Sequence, residues 1–205
     1  FAVKPQVMKS VCENLAPIAQ TGRPMILSIA AGIASAQIDR WLGGGLAVVR
    51  SMPNTPALLG AGATGLYANA RVSESQRRRA ESLMQATGIT EWIADEALMD
   101  AVTALSGSGP AYVFLLAEAM QAAGEAQGLP PDSARKLALQ TILGAARMLT
   151  ESGEAATVLR QRVTSPNGTT QAALETFEAG GFRDLVNAAV AAATRRGREL
   201  SAAND

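Results

Sequence analysis

Short strand-like runs alternate with helical segments up to about residue 95, and no strand-like run follows that point. Apolar and β-branched residues predict strands at 25–29, 46–51, 63–69 and 89–93, with an extended strand end at 1–3. Helices are predicted from Pro5 onward, at 36–42 and at 74–86. This order is typical of a mostly parallel sheet covered by helices, which is the α/β class.

The rest of the sequence predicts helices alone, at 111–127, 133–150, 169–178 and 184–200. We therefore predict an α/β domain over residues 1–95 and an all-α domain over residues 96–205. Alanine occurs on several faces of these helices, so an isolated copy would expose apolar surface to water. We expect a homodimer through the helical half. A wholly buried monomer core is the competing interpretation.

Composition excludes several classes of function. The 205 residues contain 18 basic and 18 acidic side chains, no histidine and one cysteine. Balanced charge argues against nucleic-acid or anionic-membrane partners, because these need clustered Lys and Arg. Without histidine, a Cys/His zinc site, a histidine triad and a histidine general base cannot be built. Since no apolar run is long enough to cross a bilayer, we expect a cytoplasmic protein.

Two segments directly follow predicted strands, at the carboxyl edge where open α/β sheets bind ligands. In Val3-Lys4-Pro5, a lysine stands between a strand end and a helix start, although a plain surface lysine would look the same. In SMPNTP, at 51–56, two prolines fix the backbone while Asn54 and Thr55 offer hydrogen bonds. An ordinary turn explains this second segment equally well.

Two further segments place glycine and hydroxyl residues at helix starts. SGSGP, at 106–110, lacks the third glycine of a dinucleotide fingerprint and the Gly-Lys ending of a Walker loop, so a glycine-rich hinge is favoured. SPNGTT, at 165–170, opens a predicted helix. Its hydroxyl groups could simply cap that helix. Free N–H groups at a helix start also bind a carboxylate or phosphate, and we favour an anion site there.

Seven segments occur in the order found in pyrroline-5-carboxylate reductases: AVKPQ, SIAAGI, SMPNTP, DAVTALSGSGPAY, GLP, VTSPNGTTQAAL and AGGFRDLV. The sequence resembles this family over essentially its whole length. The resemblance implies an NAD(P)-binding Rossmann domain, an all-helical domain that forms an interlocked dimer, and reduction of L-1-pyrroline-5-carboxylate to L-proline. Family members carry a glycine-rich phosphate loop before the point at which this sequence begins. We therefore expect residues 1–95 to be the C-terminal part of the Rossmann domain.

The resemblance also implies roles for individual residues. Thr170 would be the catalytic residue, as a hydroxyl beside the imine nitrogen. The implied substrate-binding residues are Glu96, Ser165, Gly168, Thr169 and Thr170. The implied cofactor-binding residues are Val3, Lys4, Pro5, Ala31, Asn54 and Thr55. The cofactor would be NADPH or NADH. The residues that choose between the two follow the second strand of a Rossmann domain, and that segment is not in this sequence. No metal is implied.

Two other functions stay open on the residues alone. A β-hydroxyacid-type dehydrogenase also joins a Rossmann domain to a helical dimer, but it uses a lysine in the helical domain. Lys136 is the only lysine after residue 96. A non-catalytic helical dimer module is the second alternative, which the absent glycine loop supports. DNA binding through Arg77-Arg78-Arg79 is disfavoured, because no other basic patch joins that run. Oligomers larger than a dimer are left open.

Overall fold

The structure, a computed structural model, describes residues 1–203. Its strands are β1 Ile26–Ser28, β2 Val48–Met52, β3 Gly62–Ala68 and β4 Gly88–Trp92. Its α-helices are α1 Pro5–Gly22, α2 Ser35–Trp41, α3 Glu74–Gln85, α4 Met99–Val102, α5 Gly109–Ala126, α6 Pro131–Glu151, α7 Ala156–Arg162, α8 Thr169–Ala179 and α9 Phe182–Ala203. Single turns at Thr55–Leu59 and Glu96–Leu98 are 3₁₀-helical, and Thr103–Gly107 is a π-helical turn. The predicted fold class, α/β followed by all-α, is confirmed.

The four strands form one sheet in the order β1-β2-β3-β4. β1 pairs with β2, and β3 with β4, in parallel, whereas β2 and β3 are antiparallel. Residues 53–61 join β2 to β3, and so short a connection cannot make the crossover that a parallel pair requires. Phe1 lies beside β1, where its carbonyl accepts from the Ile29 N–H at 3.0 Å and its amino group donates to the Leu27 carbonyl at 2.5 Å. This spacing is that of a parallel ladder.

Helices cover both faces of the sheet because side chains alternate along each strand. α1 and α2 pack on one face against β1 and β2, around a buried cluster that includes Met8, Cys12, Ile38, Trp41, Ile26 and Val48. α3 packs on the opposite face, in a cluster of Val49, Leu66, Ala80 and Met84. Ser73 starts α3 with a capping box, in which its hydroxyl accepts from the Gln76 N–H.

The chain divides into two compact units. One contains residues 1–110 together with the chain from residue 188 onward, and the other contains residues 111–187. The end of α9 belongs to the first unit because it lies against Asp100, to whose carboxylate the Ser201 hydroxyl donates at 3.4 Å. The predicted boundary between residues 95 and 96 marks where strands give way to helices, and as a domain boundary it stays a prediction.

The unit of residues 111–187 has little core of its own. Only Ala134, Ala138 and Leu159 are buried hydrophobic residues within it. Large apolar side chains on its helices are exposed, among them Phe114 at 61%, Leu115 at 67% and Leu137 at 58%. Exposed apolar surface of this kind is typical of a site that binds another molecule. Across the part of the chain that the structure describes, no helix is both long enough and apolar enough to span a membrane.

Candidate functional site

Three chain segments end at the same edge of the sheet. Phe1 and the strands β1 and β2 run parallel, so the residues that follow them emerge together at the carboxyl edge. Lys4 is exposed and directly precedes α1, whose first residue is Pro5. Val3 is half-buried against the core cluster of α1 and α2. The predicted cofactor residues therefore share one sheet edge, which is where an α/β sheet holds a nucleotide.

The loop from β1 to α2 is built from backbone and small side chains. The Ser28 hydroxyl accepts from the Ala30 N–H at 3.3 Å, and Gln37 accepts from the Ala34 N–H at 2.7 Å. Gly32 has φ +71°, in the left-handed region that glycine adopts without strain. Ala31 is half-buried beside it. A β-carbon on Gly32 would lie 3.6 Å from the backbone nitrogen of Ser201, so glycine here lets the end of α9 pack closely against the loop. The predicted contact of Ala31 with a cofactor stays a prediction.

Asn54 links three parts of the first unit. Its Nδ2 donates to the Ser106 carbonyl at 3.0 Å, and its Oδ1 accepts from the Ala63 N–H at 2.9 Å. The side chain therefore joins the end of β2 to β3 and to the SGSGP segment. One Nδ2 hydrogen stays available for a ligand, because an amide has two donors. Thr55 is exposed at the first position of the following 3₁₀ turn.

The SGSGP segment forms the end of a π-helical turn and the start of α5. The Ser108 N–H donates to the Thr103 carbonyl at 2.8 Å. A β-carbon on Gly107 would lie 2.8 Å from the Met52 methyl group, so glycine permits a close approach to the end of β2. Pro110 is the second residue of α5, where its missing N–H is not needed. The close approach at Gly107 is observed, and the hinge itself stays a prediction.

Glu96 holds two groups on the α2 side of the sheet. Its Oε1 accepts from the Ser35 backbone N–H at 2.6 Å and from Arg50 Nη1 at 3.0 Å. Its Oε2 accepts from the Ser35 hydroxyl at 2.7 Å. The Arg50 side chain is 10% exposed and that of Glu96 is 22% exposed, so this is a mostly buried ion pair. The predicted contact of Glu96 with substrate stays a prediction.

Tyr67 stands beside this ion pair, because it is the register partner of Arg50 in β3. Burial raises the pKa of the Tyr67 phenol, and the carboxylates of Glu96 and Asp95 raise it further. Arg50 lowers it. Tyr67 therefore keeps its proton at neutral pH and can act there only as a neutral hydrogen-bonding group.

SPNGTT forms a tight turn that opens α8. The Gly168 N–H donates to the Ser165 carbonyl at 3.0 Å, and Asn167 adopts a left-handed φ of 57°. Gly168 is the N-cap of α8, and no side chain caps the helix. Thr169 and Thr170 follow as its first two residues. The N–H groups at an uncapped helix start attract an anion, and the two hydroxyls add further donors.

Polar and charged residues that flank SPNGTT in the sequence are bound to one another. Arg162, in α7, forms an ion pair with Glu154 at 2.5 Å, and Gln171 Nε2 donates to Glu175 at 2.7 Å. Gln171 Oε1 also accepts from the Asn167 N–H at 2.8 Å, which fixes the turn. An anion at the start of α8 would thus be held by amide and hydroxyl groups, without a cation inside the 165–170 segment.

Ser35 and Arg50 are the residues at this sheet edge that pattern reasoning did not single out. Arg50 could have been noticed, because an arginine inside an apolar strand needs a carboxylate partner. Nothing in the sequence points to Glu96 as the carboxylate that pairs with Arg50, or to Ser35 as a second partner of Glu96. Glu96 lies 46 residues after Arg50 and 61 residues after Ser35.

Comparison with known proteins gives consistent matches. The family described as pyrroline-5-carboxylate reductase dimerisation matches residues 96–200. A pyrroline-5-carboxylate reductase of Pseudomonas aeruginosa is 56% identical over 98% of this chain and 73% of its own length. A Coxiella burnetii structure of the same name is 46% identical, with a TM-score of 0.93 over 97% of this chain and 74% of that one. A Plasmodium falciparum pyrroline carboxylate reductase, solved with NADP bound, is 32% identical, with a TM-score of 0.88 over 97% of this chain and 75% of that one.

Proposed function

The chain belongs to the pyrroline-5-carboxylate reductase family, and we propose that it reduces L-1-pyrroline-5-carboxylate to L-proline with a nicotinamide cofactor. The observation that carries this proposal is the uncapped start of α8 at SPNGTT, which offers N–H and hydroxyl groups to a small carboxylate. The sheet edge at Lys4, Ala31 and Asn54 supplies a matching place for the cofactor.

The reaction moves two electrons and two protons overall. A bound nicotinamide cofactor would supply a hydride to the imine carbon, which would convert NAD(P)H to NAD(P)⁺. A C–H bond forms there, the C=N π bond breaks, and its electron pair moves to the ring nitrogen. The imine reacts best when that nitrogen already carries a proton, so no histidine is needed and the product amine takes its last proton from water.

We propose that the cofactor lies across the carboxyl edge of the sheet. Val3, Lys4, Pro5 and Ala31 would contact its ribose and backbone, and Asn54 and Thr55 would contact its nicotinamide end. The shared edge, the small side chains of the β1–α2 loop and the remaining Asn54 donor support this assignment. NADPH is the proposed donor, by likeness to the Plasmodium falciparum relative that was solved with NADP. The ratio of kcat/KM for NADPH and NADH tests that choice.

We propose that the start of α8 holds the substrate carboxylate. Ser165 would donate its hydroxyl and Thr169 its backbone N–H. Gly168, whose own N–H is bonded to the Ser165 carbonyl, would line the site without a side chain in the way. This arrangement keeps the carboxylate away from the path of the hydride while the dipole of the helix favours its negative charge. The turn geometry supports it, because Gly168 stands against Ser165 with no side chain between the two residues.

Thr170 would orient the ring nitrogen. Thr170 is half-buried one position beyond Thr169, so a ring whose carboxylate is bound at the helix start could bring its nitrogen alongside the Thr170 hydroxyl. An ordinary alcohol does not release a proton at neutral pH, so Thr170 acts through hydrogen bonding and not as the acid. Holding both the carboxylate and the ring nitrogen of the substrate in place lowers the activation barrier through orientation.

The second unit also carries the proposed dimer. Its helices expose large apolar side chains that need a partner, and this region is the one that matches the family's dimerisation domain. We propose a homodimer formed by these helices. A larger assembly would be built from such dimers, and sedimentation of the purified protein distinguishes the two.

Steady-state kinetics tests the proposed function. NADPH oxidation is followed by ultraviolet absorbance with L-1-pyrroline-5-carboxylate as substrate, and the product is identified by chromatography. Proline formed in equal amount to NADP⁺ supports the proposal. A folded dimer that binds NADPH but forms no proline refutes the substrate assignment, whereas a dimer that binds no cofactor favours a non-catalytic helical module.

A further inference from the structure

We propose that Glu96 is a positioning residue that holds the cofactor edge in shape and thereby sets the affinity for the cofactor. The inference rests on the proposed function. It differs from the role that the family resemblance implies, in which Glu96 belongs to the substrate side. The two roles affect different quantities, the Kd of the cofactor and the KM of the substrate, so an experiment can separate them.

The carboxylate of Glu96 accepts three hydrogen bonds from within the protein. Oε1 receives the Ser35 N–H at 2.6 Å and Arg50 Nη1 at 3.0 Å, and Oε2 receives the Ser35 hydroxyl at 2.7 Å. Hydrogen bonds to a charged group are among the stronger ones in proteins. Ser35 is 3% exposed and the Arg50 side chain 10% exposed, so water does not readily replace Glu96.

Both partners of Glu96 adjoin loops of the proposed cofactor site. Ser35 is the first residue of α2, directly after the loop that contains Ala31 and Gly32. Arg50 lies in β2, opposite Ser28 of β1, and β2 ends two residues later, just before Pro53 and Asn54. One carboxylate therefore links the start of α2 to β2, next to the loops that follow the two adjacent parallel strands.

Loss of the charge at Glu96 would loosen this edge. Arg50 would be left nearly buried without a counter-charge, which is strongly unfavourable, and it would move toward water. The start of α2 would lose its link to β2. The β1–α2 loop would then sample arrangements in which Ala31 and Gly32 do not meet the cofactor, and the fraction of protein able to bind would fall.

Glu96→Gln is the principal test, because it keeps the shape and an acceptor for the Ser35 N–H but removes the charge that pairs with Arg50. Ser35→Ala removes the hydroxyl bond and keeps the backbone one. Glu91→Gln is the matched control, since Glu91 is an exposed carboxylate on β4. Circular dichroism and thermal melting show whether each variant folds.

Three readouts are compared on the purified protein: the Kd of NADPH without substrate, by calorimetry; the KM of L-1-pyrroline-5-carboxylate at saturating NADPH; and amide hydrogen exchange of residues 29–36. We expect Glu96→Gln to raise the NADPH Kd about tenfold and to speed exchange in 29–36. The substrate KM should change less than about twofold, since no bond of the substrate is removed. Ser35→Ala should act in the same direction but less, and Glu91→Gln should match the wild type.

A raised substrate KM with an unchanged NADPH Kd would overturn the proposal and favour direct contact of Glu96 with substrate. Unchanged Kd and unchanged exchange in Glu96→Gln would overturn it as well. If the wild-type protein itself bound no NADPH, the proposed function would fail and this inference with it. Because that result is read on the wild type and the others on the variant, the two failures are distinguishable.

Discussion

Replacing Gly168 with alanine tests the substrate half of the site most sharply. Gly168 has φ −86°, which alanine adopts without strain, so the backbone can stay in place. The new β-carbon, however, would lie closer than 3.0 Å to the Ser165 hydroxyl oxygen, a separation that real β-carbons essentially never show. The hydroxyl can turn away about its Cα–Cβ bond, and it would then leave the proposed carboxylate position.

The size of the effect follows from the lost bond. A hydrogen bond to a charged group is worth roughly 1.5–3 kcal/mol, so the KM for L-1-pyrroline-5-carboxylate should rise about 10- to 100-fold. Stability should fall by only about 1 kcal/mol, the ordinary difference between glycine and alanine at an N-cap. For a chain of this size that is a drop of about 2–4 °C in Tm.

The assay is a double-mutant cycle of initial rates at saturating NADPH. Ser165→Ala removes the hydroxyl, which is the closest of the three contacts. The added carbon would still lie 3.1 Å from the carbonyl oxygen and 3.6 Å from the β-carbon of residue 165. Gly168→Ala should therefore raise KM in the wild type and change it little in the Ser165→Ala background. Fold-changes that multiply independently would refute the reasoning, as would a large loss of Tm with no change in KM.

Thr170→Ala should lower kcat/KM about 10- to 100-fold without abolishing turnover, because one hydrogen bond at the ring nitrogen is lost. Thr170→Ser should restore most of kcat/KM, since it restores that hydrogen bond. A wild-type kcat/KM for the alanine variant would contradict the assignment. Mixing the impaired Asn54→Ala and Thr170→Ala proteins should raise activity above the sum of the two measured alone if one site draws on both chains of the dimer, and no gain would place both residues in the same chain's site. Burial raises the pKa of the Cys12 thiol, which is fully buried, so a thiol reagent should react slowly with native protein and rapidly after denaturation, and rapid native labelling would contradict its placement. Gly88→Ala should destabilise the fold by more than about 2 kcal/mol in a denaturant melt. Gly88 has φ +142°, and the added carbon would overlap the Gly62 backbone. An unchanged unfolding midpoint would contradict that packing.

Local pattern was enough to predict most of the first unit. The helix predicted at 74–86 is observed as Glu74–Gln85, because Ser73 and Gln76 form the capping box that starts it. The strand predicted at 63–69 is observed as Gly62–Ala68. Signals of this kind lie within a few residues of one another, so a single sequence displays them.

Features that depend on distant residues were out of reach. The antiparallel pairing of β2 with β3 makes the sheet mixed, and it follows from how the chain returns through 53–61. Helix α7, at Ala156–Arg162, was not predicted for a different reason: its seven residues are too few to show a clear apolar period. Ser35 and Arg50 meet Glu96 only after the sheet has formed, so their shared role could be seen only in the structure.

Isotope transfer tests the central claim most directly. The purified protein is given L-1-pyrroline-5-carboxylate and NADPH deuterated at C4 of the nicotinamide ring, in each of the two diastereomeric forms. We expect one form to yield proline that carries deuterium on the ring carbon that was the imine carbon of the substrate. Mass spectrometry would detect the label and NMR would locate it. Unlabelled proline from both forms, or no proline from a protein that binds NADPH, would contradict hydride transfer to the imine.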